Sequence, residues 1–525
     1  AVATSPSNMS PLSVVPVGDA DNLSCNTSEA SRTSRGLVSN VSMVLMRAVA
    51  ASILTDGFGT AFTSNRGTLE VTAEDYSKSR RVTHIDDFIS HTWQSKRWSK
   101  FLAVCLIYNG HAAAAASSLA AAVVFLLELD IVSALPRAVP VKAKHAGIEY
   151  SCTAGIWGIF ICPVVFLIVG VFWQKLRLPR MIFVDKFCIH QTDPEKKKQG
   201  IRGLAGFLRK SERLVVLWND SYFERLWCTY ELASWIYLGK ERICFMPLSL
   251  AALLLSWVAG SYLLTVLGFL CYASWGDFPP SVVFPSLGAF SLLVACSAKP
   301  HAHELGQLAH QLSHFSVKSS RCFCCDCNHV HPLTREAIPC DRLLVYEALE
   351  EWFVKRRHGG ASLPEENPLP PLEFFDSQVR EIIRPHILST GAYRLSYSNA
   401  LLLGVPYSWF VLGRATYLES LPVLEWARFA IYFGTLVFAA FPLANWMAFT
   451  CCCHFERVLG SSTSCKMKSL SIFASAASLL FFSGATWLFL HTPFSQFTSP
   501  LPLILVSVTL ALLSIAVFCR FGLGS

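Results

Sequence analysis

Trp227 and Glu231 are an aromatic residue and a carboxylate at a separation that suits a catalytic or ligand-binding site. Both lie in segment 222–238, whose apolar residues recur at helical spacing. A separation of four residues places the two side chains on one helix face. An aromatic plane and a carboxylate can then flank one ligand, and the carboxylate can stabilise positive charge that develops during a reaction. Alternatively, Trp227 anchors the core, and Glu231 is solvated or holds the fold through a hydrogen bond.

A second polar group follows the short apolar segment 181–185. Asp185, Lys186 and His190 come at its end or shortly after it. In open α/β sheets, ligands bind beyond the carboxyl ends of parallel strands. We therefore predict that these three residues border a ligand site; the alternative is that they are solvated loop charges.

A third group consists of cysteines and histidines. Residues 322–340 contain seven soft or borderline metal ligands within 19 residues, including two overlapping Cys-x-x-Cys pairs. Structural zinc sites usually take one such pair from each of two separated knuckles. One candidate zinc set among several is Cys322, Cys325, His331 and Cys340. The alternative is a group of reduced thiols in a cytosolic loop, and no other metal or cofactor is required.

The segments that carry the first two groups of residues belong to a series in which strands and helices alternate. Short apolar runs bounded by turn-forming residues predict strands at 84–90, 181–185, 213–218 and 242–248. Helical spacing predicts helices at 194–211 and 222–238. Alternating strands and helices are typical of an α/β module with a mainly parallel sheet.

The composition excludes an ordinary soluble enzyme. Of the 525 residues, 53% are hydrophobic and 15% are charged, whereas soluble domains have about 25% charged residues. The net charge of +8 comes from basic residues beside apolar runs, so it indicates membrane topology and not a nucleic-acid partner. The 19 cysteines show no regular spacing of a secreted disulfide framework, which favours a reducing environment.

Eight stretches are long and apolar enough to be candidate membrane spans. They contain no Asp, Glu, Lys or Arg and lie at 102–127, 151–173, 249–272, 281–298, 398–413, 429–450, 469–490 and 500–519. They pair into four hairpins whose connecting loops are poor in basic residues, so both termini and both large polar segments are expected in the cytosol. The sequence thus predicts an α-helical multi-pass membrane protein with a cytosolic α/β module that the first hairpin interrupts.

The predicted organisation follows from these spans. A disordered Ser/Asn-rich N-terminus covers 1–75, and the α/β module covers 76–101 and 174–248. The transmembrane hairpins are 102–173, 249–298, 398–450 and 469–525. Between them lie a cytosolic Cys/His-containing helical region, 299–397, and a basic loop, 451–468.

Several short motifs in the module resemble two related families. Asp87-Phe-Ile-Ser-His91 resembles the first-strand box of Toll/interleukin-receptor (TIR) domains. Ser221-Tyr-Phe-Glu-Arg-Leu-Trp-Cys-Thr-Tyr-Glu-Leu232 resembles the helix box of the same domains. Phe183-Val-Asp-Lys-Phe-Cys-Ile-His-Gln191 resembles the heterokaryon-incompatibility (HET) domain. The resemblance covers about one fifth of the chain, and it departs from both families where the first hairpin replaces the first helix.

The resemblance implies a function. In TIR domains that cleave NAD, the glutamate of the helix box is the catalytic carboxylate, and Glu231 matches it. Trp227, Ser90, Asp185, Lys186 and His190 would then border the NAD site. NAD would be a substrate, and cleavage of its nicotinamide–ribose bond passes through a cation-like state that a carboxylate stabilises. The resemblance also implies signalling or self-association, with a homo-oligomer formed through the module and the lipid bilayer as the second partner.

A transporter or channel with a regulatory module is the alternative function. Intramembrane ionisable groups mark most ion and proton pathways. The candidate spans offer one such group, His111, close to Asn109. This scarcity favours the module over the spans as the functional part.

Overall fold

A computed structural model describes residues 45–65, 68–69, 73–137, 139–145, 148–275, 279–330, 335–359, 369–384, 395–420, 423–459, 465–491 and 500–521. Its strands are β1 Arg47–Ala50, β2 Ser64–Asn65, β3 Thr68–Leu69, β4 Arg80–Arg81, β5 Ile85–His91, β6 Val139–His145, β7 Ile148–Ala154, β8 Met181–Phe183, β9 Ser211–Trp218 and β10 Ile243–Pro247. Strands β2 and β3 pair with each other, as do β6 and β7. The other six strands form one sheet.

The six-stranded sheet has the order β10-β9-β5-β8-β1-β4. Strands β10, β9, β5 and β8 are parallel, whereas β1 is antiparallel to β8 and β4 is antiparallel to β1. The parallel strands are the four that the apolar runs predict. Strands β5 and β9 are almost entirely buried, as expected for a parallel sheet covered on both faces.

The predicted disorder over residues 1–75 is wrong for the segment that contains strand β1. Strand β1 lies inside that range, and Ala48 and Val49 are buried in the core. Three short 3₁₀ turns follow, at Ala51–Leu54, Asp56–Phe58 and Thr60–Phe62. A strand of four residues carries little periodic signal, so it is not recognisable within a Ser/Asn-rich sequence. Residues 1–44 lie outside the described part of the chain.

The helices, in chain order, are α1 Ala73–Ser77, α2 Arg97–Glu128, α3 Trp157–Leu176, α4 Asp185–Cys188, α5 Pro194–Arg202, α6 Leu204–Lys210, α7 Leu226–Tyr237, α8 Leu248–Trp275, α9 Pro280–Ser313, α10 Phe323–Asp326, α11 Asp341–Gly359, α12 Pro371–Gln378, α13 Tyr397–Ala415, α14 Val423–Thr435, α15 Phe441–Leu459, α16 Cys465–His491 and α17 Pro500–Phe521. Short 3₁₀ segments are Val317–Ser319 and Thr416–Ser420, and π-helical segments are Val379–Ile383 and Leu436–Ala440. The helix predicted over 194–211 is divided into α5 and α6 at Gly203.

Within the described ranges, five helical segments are long and apolar enough to cross a membrane. They are Arg97–Glu128, Trp157–Leu176, Leu248–Cys271, Pro280–Ser313 and Val423–Glu456. Two shorter apolar helices, Ser469–Phe482 and Leu503–Cys519, coincide with the last two predicted spans. The predicted span 398–413 is helical, as α13, but is in neither group. The predicted span 151–173 begins too early, because residues up to Ala154 form strand β7.

The chain leaves the sheet after β5 through α2 and returns to β8 through α3. Inside this pair, the Asn109 side-chain amide donates to the Gly170 carbonyl at 2.9 Å, and the Gln174 amide donates to Asn109 Oδ1 at 3.1 Å. At the far end, Glu128 Oε1 accepts from the backbone N–H groups of Ile156 and Trp157 at 2.8 and 2.9 Å. The carboxylate therefore satisfies donors at the start of α3 that the helix itself cannot.

The side chain of Asp87 links α2 and α3 to the centre of the sheet. Its carboxylate is fully buried and accepts from Arg180 Nε at 2.6 Å, from Arg213 Nε at 2.7 Å and from the Tyr108 hydroxyl at 3.0 Å. Tyr108 belongs to α2, and Arg180 follows α3. One buried carboxylate on β5 thus joins the module to the two helices that interrupt it.

Candidate active site

The strand order places a topological switch between β5 and β9. From β5 the chain moves to β8 on one side, and then crosses to β9 and β10 on the other side. Ligands of doubly wound sheets bind outside the carboxyl ends of the strands at such a point. Ser90 and His91 end strand β5, and helix α7 follows β9. The residues below lie at this edge of the sheet.

Glu231, on α7, is held by residues from β5 and from the turn after β9. The Ser90 hydroxyl donates to Glu231 Oε2. Ser90 Oγ also lies 2.6 Å from the Tyr222 hydroxyl, and both Ser90 and Tyr222 are fully buried. With an ionised Glu231, Tyr222 donates to Ser90 and Ser90 donates to the carboxylate. The Glu231 side chain therefore has a fixed orientation.

The surroundings of Glu231 disfavour its charge. Burial, followed by the nearby carboxyl of Asp185, raises the pKa of Glu231 to about 8, against the opposing effect of the Ser90 hydrogen bond. Among the described residues, Glu231 forms no salt bridge. A carboxyl group whose pKa lies near neutrality is a candidate for function.

Asp185 is the second carboxyl group at this edge, at the start of α4 directly after β8. Its Oδ2 accepts from the indole N–H of Trp93 at 2.9 Å, and its Oδ1 accepts from the backbone N–H of Lys186 at 2.8 Å. Burial raises the pKa of Asp185, while these hydrogen bonds and the charges of Lys100 and Lys186 oppose the increase. Two carboxyl groups and an indole therefore converge beside the end of β5.

His91 and Lys100 complete the surroundings of Trp93. The His91 ring lies 4.5 Å from the Trp93 ring, and burial lowers the pKa of His91 well below its ordinary value, so the imidazole is neutral. Lys100 Nζ lies 5.3 Å from the Trp93 ring centre. In the described part of the protein, His91 Nε2 and Lys100 Nζ are buried without a hydrogen-bond partner. Such buried polar atoms require an explanation, and a polar ligand would supply one.

Three residues predicted for the ligand site have other contacts. The Trp227 indole donates to Asp341 Oδ2 on α11 at 3.2 Å and packs against the core, which agrees with the anchoring alternative. Lys186 Nζ lies 3.9 Å from Asp75. His190 Nδ1 accepts from the backbone N–H of Asp193 at 3.0 Å, and its ring lies 4.5 Å from that of Tyr76.

The structure therefore brings together Glu231, Ser90 and Asp185 from the predicted set, and the indole that contacts one of these carboxyl groups is Trp93, not Trp227. Trp93 could have been found from the sequence, because it comes two residues after β5, and the rule that identified Asp185 applies equally to that strand. Lys100 and Tyr222 gave no such signal. Their approach depends on how α2 and the turn before α7 pack.

The predicted zinc ligands Cys322, Cys325 and Cys340 lie in one cluster. His331 lies outside the described residues. The cluster also contains Cys324 and His329, which the predicted set omits.

The chain matches no protein-family model, no curated protein and no solved structure.

Proposed function

We propose that this chain is a multi-pass membrane protein whose TIR/HET-like module faces the cytosol and hydrolyses NAD at the bond between nicotinamide and ribose. The observation that carries the proposal is the position of Glu231. Its carboxyl group is oriented by Ser90, lies near Asp185, and stands at the switch point of a parallel sheet. The five long apolar helices support the membrane location, and eight spans with both termini in the cytosol remain our proposal for the topology.

The proposed chemistry uses this chain's side chains alone. The C1′–N bond of NAD breaks, its electron pair goes to the nicotinamide nitrogen, and a positive charge develops on the ribose. The ionised Glu231 faces that charge and lowers the barrier. Water then adds to C1′ and releases a proton, which gives ADP-ribose and nicotinamide. The Trp93 indole, which donates to Asp185, supplies an aromatic ring at the same edge of the sheet.

A matched pair of tryptophan variants tests the site. Trp93→Phe and Trp227→Phe each remove one indole N–H that donates to a carboxylate, Asp185 or Asp341. We expect the purified full chain to release nicotinamide from NAD, and we expect Trp93→Phe to lower that rate by about 10- to 150-fold, since a hydrogen bond to a charged group contributes about 1.5–3 kcal/mol.

Trp227→Phe is expected to keep the rate of the wild type and to lower only the free energy of unfolding. No nicotinamide from the wild type, or equal losses of rate in both variants, would contradict the proposed site.

The proposed topology predicts which introduced cysteines an impermeant reagent reaches. Asp220 and Pro140 are both exposed, so cysteines placed there would react wherever the reagent has access. On sealed cells, we expect Pro140→Cys to be labelled above the background of the parent protein and Asp220→Cys to be labelled only after permeabilisation. Labelling of position 220 but not of position 140 from outside would reverse the topology.

A further inference from the structure

Four cysteines around helix α10 and the start of α11 converge on one point. The Sγ atoms of Cys322, Cys324 and Cys325 all lie within 4.8 Å of one another. Cys340 Sγ lies 3.9 Å from Cys325 Sγ and within 4.8 Å of Cys324 Sγ. Five of the six Sγ–Sγ separations in this set, the cysteine cluster, are therefore within 4.8 Å.

These separations are close to those of a tetrahedral metal site. Four thiolates at about 2.3 Å from a zinc ion stand about 3.8 Å from one another, and the separations of Cys322 from Cys324 and of Cys325 from Cys340 are 3.4 and 3.9 Å. A disulfide requires about 2.05 Å between its sulfur atoms. Small side-chain rotations are enough to bring four sulfurs around one ion, and tetrahedral sulfur ligation is typical of zinc.

The backbone around the cysteine cluster is organised for convergence. Cys322 is extended and caps α10, so Cys324 and Cys325 follow within the next helical turn. Asn328 and His329 have positive φ angles and turn the chain back, and the Val330–Ala337 bridge closes the loop that returns to Cys340. The Asp341 N–H points at Cys324 Sγ, at 3.2 Å. Such a second-shell N–H···S contact supports a metal-bound thiolate.

We propose that Cys322, Cys324, Cys325 and Cys340 bind one zinc ion. This set differs from the one predicted from the sequence, because Cys324 replaces His331. The predicted set takes one of the two overlapping Cys-x-x-Cys pairs, Cys322 and Cys325, but the transition from extended chain to α10 brings Cys324 to the same place. His329 is within reach of Cys324 and Cys340, but four thiolates fill the four positions of a tetrahedral zinc site without it.

The zinc ion would stabilise the two segments that contact α7. Arg321, next to Cys322, pairs with the first residue of α7 and with the turn before it: the Leu226 N–H donates to the Arg321 carbonyl at 3.0 Å, and the Arg321 N–H donates to the Glu224 carbonyl at 2.6 Å. On the other side, Asp341 follows Cys340 and accepts the Trp227 indole. The proposed site thus holds two contacts to the helix that carries Glu231, and its role is structural.

The test is metal analysis of the full chain purified in reducing buffer without chelator. We expect about one zinc per chain, and we expect Co²⁺ to replace it and give the charge-transfer absorption of thiolate ligands. Cys324→Ser and Cys340→Ser should each lower zinc affinity at least 10-fold. Cys327→Ser is the matched control from the same loop, and both it and His329→Ala should retain the metal.

A further readout covers variants that fail to fold. Removal of zinc from the wild type by a chelator should lower the melting temperature, and added zinc should restore it. Wild-type protein that contains no zinc and gives no Co²⁺ spectrum would overturn the proposal. Iron in place of zinc, a disulfide between any two of the four cysteines, or equal zinc in Cys324→Ser and Cys327→Ser would overturn it as well.

Discussion

Glu231→Gln is expected to lower the rate of nicotinamide release from NAD by about 100- to 1,000-fold, equivalent to about 3–4 kcal/mol. The amide keeps the shape of the carboxyl group and can still accept the hydrogen bond from Ser90. It cannot carry the negative charge that faces the developing cation. The binding of NAD should change little, because the loss falls on the transition state. The rate is measured as nicotinamide released by the full chain.

The stability of the same variant distinguishes a loss of catalysis from a loss of folded protein. In the folded protein the pKa of Glu231 is raised to about 8, so the native state binds a proton more tightly than the unfolded state does. The free energy of unfolding of the wild type therefore falls as the pH rises from the unfolded pKa of about 4.3 towards 8. Gln has no such proton. We expect Glu231→Gln to unfold at a higher temperature than the wild type at pH 8, with the difference vanishing at low pH.

Glu224→Gln is the control for both measurements, since Glu224 is exposed and lies just before α7. For this variant, neither the activation free energy of NAD cleavage nor the free energy of unfolding should change by more than about 0.5 kcal/mol. If Glu231→Gln instead lost stability at every pH and turned over NAD at the rate of the wild type, its carboxyl group would have only a structural role.

Asp87→Asn is expected to lower the free energy of unfolding by about 3–5 kcal/mol. The substitution keeps the side-chain size but leaves Arg180 and Arg213 without their shared buried carboxylate. Both guanidinium groups are about 30% exposed and recover some hydration, so a value near 3 kcal/mol is expected. Denaturant unfolding of the purified protein measures the change.

Glu212→Gln is the matched control, because Glu212 lies on β9 next to Arg213 but pairs with His84 at the surface, where both side chains are about half exposed. Surface ion pairs contribute about 0–1 kcal/mol. Equal effects of Asp87→Asn and Glu212→Gln would mean that the buried cluster does not join the sheet to α2 and α3.

Those parts of the fold that rest on a continuous physical pattern could be predicted from the sequence. The parallel strands are predictable because each contains a short apolar run, and β5 and β9 are almost entirely buried. Long apolar helices are predictable because bilayer thickness sets their length. Strand β1 could not be recognised, because its four residues gain stability from pairing with β8 and not from any local pattern. The β6–β7 hairpin was missed because its apolar end was assigned to a membrane span.

The candidate site was predictable only in part for a similar reason. Glu231 and Asp185 occupy places that sequence order determines, after a strand or on the helix that follows one. The indole that contacts one of these carboxyl groups is Trp93, because the Trp227 indole instead donates to Asp341 on α11, an element more than 100 residues later. Such a contact leaves no trace in local spacing.

If the Glu231 carboxylate drives NAD cleavage, the rate of nicotinamide release must follow the ionisation of that carboxyl group as the pH changes. Measured from about pH 6 to about pH 9, kcat/KM reports the ionisation of the free enzyme. Because the charged form of Glu231 is required and its pKa is raised to about 8, kcat/KM should rise by about 10-fold per pH unit and level off above about pH 8. The same measurement on Glu231→Gln should give a low, flat profile. A wild-type rate that is zero throughout, or that does not rise over this range, would contradict a catalytic role of the Glu231 carboxylate.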